Sequence, residues 1–127
     1  MRIVIETIPH KDQRYPTVGD WKWDGNDLHI SVSEMKDNRH ELLVAVHELV
    51  EAILCREQGV TEQSVTDFDV EFEKQRKKSI TMSTQEPGDN RFAPYRNQHS
   101  VSTGVERILA GVLGVQWQDY EVEVNSL

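Results

Sequence analysis

The chain has 127 residues, 37% of them hydrophobic and 28% charged, with a formal net charge of −8. This length suits one domain, 1–127, whose core needs no staples; the acidic balance excludes a general nucleic-acid binder, because the one basic run, 74–78, is short. With a single cysteine, no apolar run of the ~18 residues a membrane span needs and no signal pattern at the start, a cytoplasmic protein with Cys55 reduced in its core is expected.

Residues 1–35 read as a small antiparallel sheet of about three strands. The stretch 2–8 (RIVIETI) is short, β-branched and closed by Pro9, and 10–19 is a polar loop. Trp21 and Trp23 alternate with Lys22, and Leu28, Ile30 and Val32 with His29, Ser31 and Ser33. Asp24-Gly25-Asn26-Asp27 lies between, a hairpin with one buried face and a solvated His29. A central helix over 37–58 follows, capped by Asp37 or Asn38. Thr61 caps a helix over 61–78 that buries Val65, Phe68 and Phe72 and ends on the solvated charges of 73–78. Residues 79–93, with Glu86-Pro87-Gly88-Asp89-Asn90, lack periodicity and form a loop that suits a lid over a site. Pro94 opens a helix over 94–113 with an apolar face of Val101, Val105, Ile108, Leu109 and Val112, stopped by Gly114. Residues 115–127 close the chain as a short helix or extended tail, with Trp117 and Tyr120 packing back. The fold class is α+β, the sheet being followed by three or four helices.

The informative stretch is LLVAVHELVEAILC, 42–55, whose only polar side chains are His47, Glu48 and Glu51. A helix this apolar on every side belongs inside the domain, and ionisable groups inside need partners or a metal. His47 and Glu51 share one face, a turn apart, on a stripe that begins at His40. Tyr95, His99 and Glu106 form a matching stripe on the later helix. If the two stripes meet, His47, Glu51 and His99 provide two imidazoles and a carboxylate, a donor set that suits catalytic zinc with one position left for water. Glu106 lies seven residues beyond His99, about 10 Å along a helix. It is therefore read as an outer carboxylate orienting a ligand imidazole, with Asp69 and Tyr95 as further supporting groups. His40 is expected to be solvated. The bland alternative is a hydrogen-bonded His47 with Glu51 paired to Arg96 or Arg107.

His47-Glu48-Leu49-Val50-Glu51 resembles the H-E-x-x-H helix of zincin-type metallopeptidases. The resemblance implies His47 as a zinc ligand and Glu48 as the general base that takes a proton from the attacking water. Glu51 stands where that family has its second histidine, so the ligand set is completed by His99. More broadly, the blocks VAVHELVEAILC, TDFDVEFE, QEPGD and APYRNQHSVSTGVERILA are similar to small bacteriophage- and prophage-encoded proteins of unknown function. That similarity implies an intracellular phage context and no particular activity.

Three functions are therefore expected in competition. The first is a zinc-dependent hydrolase. The second is a magnesium-dependent nucleotide pyrophosphatase using Glu48 and Glu51 with Asp67, Asp69 and Glu71, disfavoured by an imidazole at the centre of the site. The third is a non-catalytic binding or inhibitory protein with a structural polar network. Substrate or protein partner and oligomeric state are left open by the residues.

Overall fold

A computed structural model describes residues 1–79 and 85–127. Three strands, β1 (Ile3–Ile8), β2 (Gly19–Asp24) and β3 (Asp27–Ser33), precede four helices. These are α1 (Asn38–Glu57), α2 (Glu62–Lys78), α3 (Arg96–Leu113) and α4 (Trp117–Asn125). The α+β class stands, but the sheet is mixed, in the order β1-β3-β2. The hairpin turn, with Gly25 at φ 58°, makes β2 and β3 antiparallel. The segment after Pro9 carries the chain across the sheet before β2, so β1 lies on the far side of β3 and runs parallel to it. That segment is tied down: Gln13 and His10 bond Ser33, and the Arg14 guanidinium pairs with Asp20 at 2.6 Å.

One sheet face carries Leu28, Ile30, Val32 and Trp21, all buried, against α1. Helix α1 lies between that face and α3. Its N-cap is Asp37, whose carboxylate accepts from Arg39 N at 2.9 Å, and Thr61 caps α2 in the same way through Ser64 N. Gly114 ends α3 in the left-handed region at φ 71°. Pro94 lies in the turn before α3 rather than in its first helical turn. Cys55 is buried and free, and its thiol is pushed up to about 12 by burial. No helix among the described residues is long and apolar enough to cross a membrane.

The helix faces depart most from expectation. On α1 the small side, Val44, Ala45, Ala52 and Cys55, is buried with Leu43, while Leu42 and Ile53 are exposed. On α3 the aliphatic residues Val101, Val105, Ile108 and Val112 face outward, Ile108 at 72% and Val112 at 80% exposure. The buried face is instead Gln98, His99, Ser102, Glu106 and Ala110. Ser102 and Ala110 are small and buried, and Gln98, His99 and Glu106 meet partners from α1 and its C-cap, Gln58. Ile108→Ser should therefore change the unfolding free energy by no more than about 0.5 kcal/mol. Leu43→Ala, in the core, should lose about 2–5 kcal/mol in the same urea titration. Equal losses in the two variants would mean that α3 turns its aliphatic face inward.

Candidate metal centre

Polar side chains meet between α1 and α3. His47 Nε2 lies 3.2 Å from Glu51 Oε2 and 3.1 Å from His99 Nδ1, and His99 Nδ1 lies 3.0 Å from Glu51 Oε2. The three residues are buried and their donor atoms converge on one point. Donor atoms 3.0–3.2 Å apart are close enough for all three to reach one ion at zinc-ligand distances of about 2.0–2.2 Å. Protons alone fit less well. A ring nitrogen carries either one proton or one lone pair, so the three contacts cannot all be two-centre hydrogen bonds.

The neighbours orient this triangle. Glu106 Oε1 lies 2.8 Å from His47 Nδ1, and its other oxygen accepts from the Tyr120 hydroxyl. A carboxylate on Nδ1 leaves the Nε2 lone pair pointing at the triangle's centre. Trp21 Nε1 donates to Glu51 Oε1 at 3.0 Å, which leaves Oε2 for the centre. Behind His99 a 3-10 turn, Pro87–Asp89, lies flat on the imidazole. A Cβ on Gly88 would fall 2.3 Å from His99 Cγ, so only glycine permits that approach.

A cavity of about 500 Å³ opens beside the triangle, lined by Tyr15, Glu48, Asp69 and Tyr95 together with the three donors. Glu48 is not among the converging donors but shares their cavity. Gly19 lies against it; a Cβ there would come 2.6 Å from Glu48 Oε1. Burial and the adjacent Glu51 charge push the Glu48 carboxyl well above its ordinary range. Asp69 accepts from the hydroxyls of Tyr95 and, at 3.1 Å, Tyr15; burial outweighs these bonds and lifts it to about 7. Tyr95 meets His99 edge-on at 6.0 Å between ring centres, so it supports the imidazole by packing and bonds Asp69 instead.

Several expected placements need correction. His40 is buried rather than solvated, with Nδ1 2.7 Å from Glu123 Oε1 and its ring 5.2 Å from that of Tyr120. Glu51 contacts His47, His99 and Trp21; Arg107 stacks instead over Trp117, at 4.3 Å, and Arg96 is exposed. Asp67 and Glu71 bond Gln63 and Gln75 on the exposed side of α2 and do not line the cavity. Of the 79–93 loop, residues 80–84 lie outside the described chain, and the turn at 87–89 packs on His99. Trp21, Tyr120, Glu86 and Asp89 are not among the site residues read from the sequence, yet all four contact the site. For the two aromatics the available signal is that a buried indole or phenol needs a hydrogen-bond partner. For the acids it is a Pro-Gly turn flanked on both sides by carboxylates.

The charges predict a pH profile for chelator-stripped protein. Burial disfavours the Glu51 charge, but the two imidazoles outweigh it and hold the carboxyl at about 2. Burial likewise opposes a charged His99, yet Glu51 and Glu86 lift it to about 9, and His47 is raised well above its ordinary value by Glu106 and Glu51. The depressed Glu51 stabilises the fold above the ordinary carboxylate pKa, and this stabilisation is lost as pH falls toward about 2. The raised His99 stabilises below its ordinary ~6.5, and this is lost as pH rises through about 9. Glu48 and Asp69, raised by burial, cost stability as pH climbs above the ordinary carboxylate range, Asp69 up to about 7, so urea titrations should show greatest stability near about pH 4–5 and a decline above it. His99→Gln should keep the acid decline and make the alkaline one between about 6.5 and 9 shallower, the part due to His47 remaining; an alkaline decline of unchanged depth in that variant contradicts this assignment.

The chain matches no protein-family model, no curated protein and no solved structure.

Proposed function

We propose that the chain binds a divalent cation through His47, Glu51 and His99 and uses it to hydrolyse a substrate bound in the adjoining cavity, with Glu48 as general base. The observation that carries this reading is the triangle of three lone-pair donors 3.0–3.2 Å apart, one imidazole of which is backed by Glu106. Two nitrogens and one carboxylate oxygen favour zinc over magnesium. Bound there, the ion would supply Lewis acidity, polarising a substrate oxygen and easing deprotonation of water.

The chain's own groups provide the rest. Glu106 and Trp21 hold the donors in place, which lowers the ordering needed when an ion arrives. Glu48 lines the same cavity without being a donor, and burial beside Glu51 raises its carboxyl above the ordinary range, which makes its carboxylate a stronger base. Protonated, it can return that proton to a leaving group. Asp69, at about 7 and bonded by two tyrosine hydroxyls, offers a second proton-holding group on the cavity wall.

A second reading, a non-catalytic binding or inhibitory protein, is favoured by one observation: the exposed aliphatic face of α3 is the kind of patch that marks interaction surfaces.

Zinc titration of chelator-stripped protein against a chromophoric chelator separates these readings when it is paired with hydrolysis of peptide anilides and aryl esters. Glu106→Gln should weaken zinc binding about 10–100-fold. Glu48→Gln should keep the parent affinity and lose about 10²–10⁴-fold in hydrolysis rate. Unchanged affinity in Glu106→Gln would contradict the site. Zinc binding with no hydrolysis by the parent chain would favour the non-catalytic reading.

A further inference from the structure

His99 has a second nitrogen, and the triangle does not use it. Nε2 is buried and has no aligned hydrogen-bond partner among the described residues. Two carboxylates stand beside it: Glu86 Oε2 at 2.9 Å, off the N–H axis, and Asp89 Oδ1 at 3.4 Å. Both acids come from the turn that Gly88 lays on the His99 ring. Asp89 N bonds Glu86 O at 3.0 Å and Asn90 N bonds Pro87 O at 3.1 Å, so backbone bonds fix the turn from which both side chains reach His99. Their side chains are a little over half exposed, leaving room for water on the outer side.

A buried ring nitrogen costs free energy when it is poorly satisfied; Glu86 at 2.9 Å gives Nε2 a charge contact but lies off the N–H axis, so the bond is a weak one. A cation placed between the three donors removes the problem, because it accepts the ring lone pair and both carboxylates from one position. The geometry points to a second divalent-cation site formed by His99 Nε2, Glu86 and Asp89, with the His99 imidazole bridging the two ions. The inference rests on the first site only in committing His99 Nδ1 to it. Filling both sites requires the ring to give up its remaining N–H proton to solvent, so that each nitrogen offers a lone pair. The ions would stand farther apart than the ~3.5–4 Å of a hydroxide-bridged pair. One oxygen-rich, open site beside one buried site suits zinc or manganese in the outer position.

The test is ion stoichiometry. Stripped protein is titrated calorimetrically with Zn²⁺, and bound metal is counted by elemental analysis, in the parent, in Glu86→Gln/Asp89→Asn and in His47→Ala. The parent should take up two ions per chain. The double variant alters only exposed carboxylates, so its circular dichroism should match the parent's; it should keep the tighter ion and bind the second at least 10-fold more weakly. His47→Ala should lose the tighter ion and keep the weaker one. One ion in the parent, unaffected by the double variant and lost in His47→Ala, overturns the second site and leaves the first standing. One ion that the double variant loses and His47→Ala retains supports the second site and removes the first.

Discussion

The structure is governed by the need to give His47 and Glu51 partners once α1 is inside the domain. A helix as apolar as α1 cannot stay in water, and burying it takes an imidazole and a carboxylate along. Leaving such groups unpaired costs several kcal/mol per ion. The cost falls if α3 presents His99 and Glu106, and α3 does so by turning Val101, Val105, Ile108 and Val112 outward. The burial forgone is of the same order, about 1.5–3 kcal/mol for each aliphatic side chain. Polar pairing therefore sets the rotation of the helix.

The electrostatics extend this. Glu48, Glu51, Asp69, Glu86 and Glu106 crowd around two imidazoles, more negative than positive charge in a confined space. The opposed responses of Glu48 and Glu51, one raised and one lowered, follow from which of them faces the rings. In the proposed function these two carboxyls, three residues apart, divide the work, one holding a cation and the other moving a proton. Glycines 19 and 88 complete the arrangement, since each lets backbone approach a functional side chain more closely than any Cβ allows.

Much of the fold was legible because it rests on local rules. Asp37 and Thr61 cap helices, Gly25 turns a hairpin and Gly114 ends α3, each a short-range effect of side chain on backbone. The pairing of His47, Glu51 and His99 was legible because ionisable residues on an apolar helix are conspicuous. The parallel placement of β1 was not, since it depends on the path of the 9–18 segment across the sheet. The outward face of α3 was missed for a different reason. Periodicity locates an apolar stripe, but it does not say whether that stripe or a polar one beside it wins the contact with α1. His40 was misread similarly: its partners, Glu123 and Tyr120, come from the far end of the chain.

The central claim is that His47 Nε2, Glu51 Oε2 and His99 Nδ1 are ligands to one ion. Anomalous diffraction at the zinc edge from crystals of the zinc-loaded protein tests it most directly. The account predicts an anomalous peak about 2.0–2.2 Å from all three atoms. A zinc-loaded crystal with no peak inside that triangle, the three side chains joined to one another or to water instead, would contradict it.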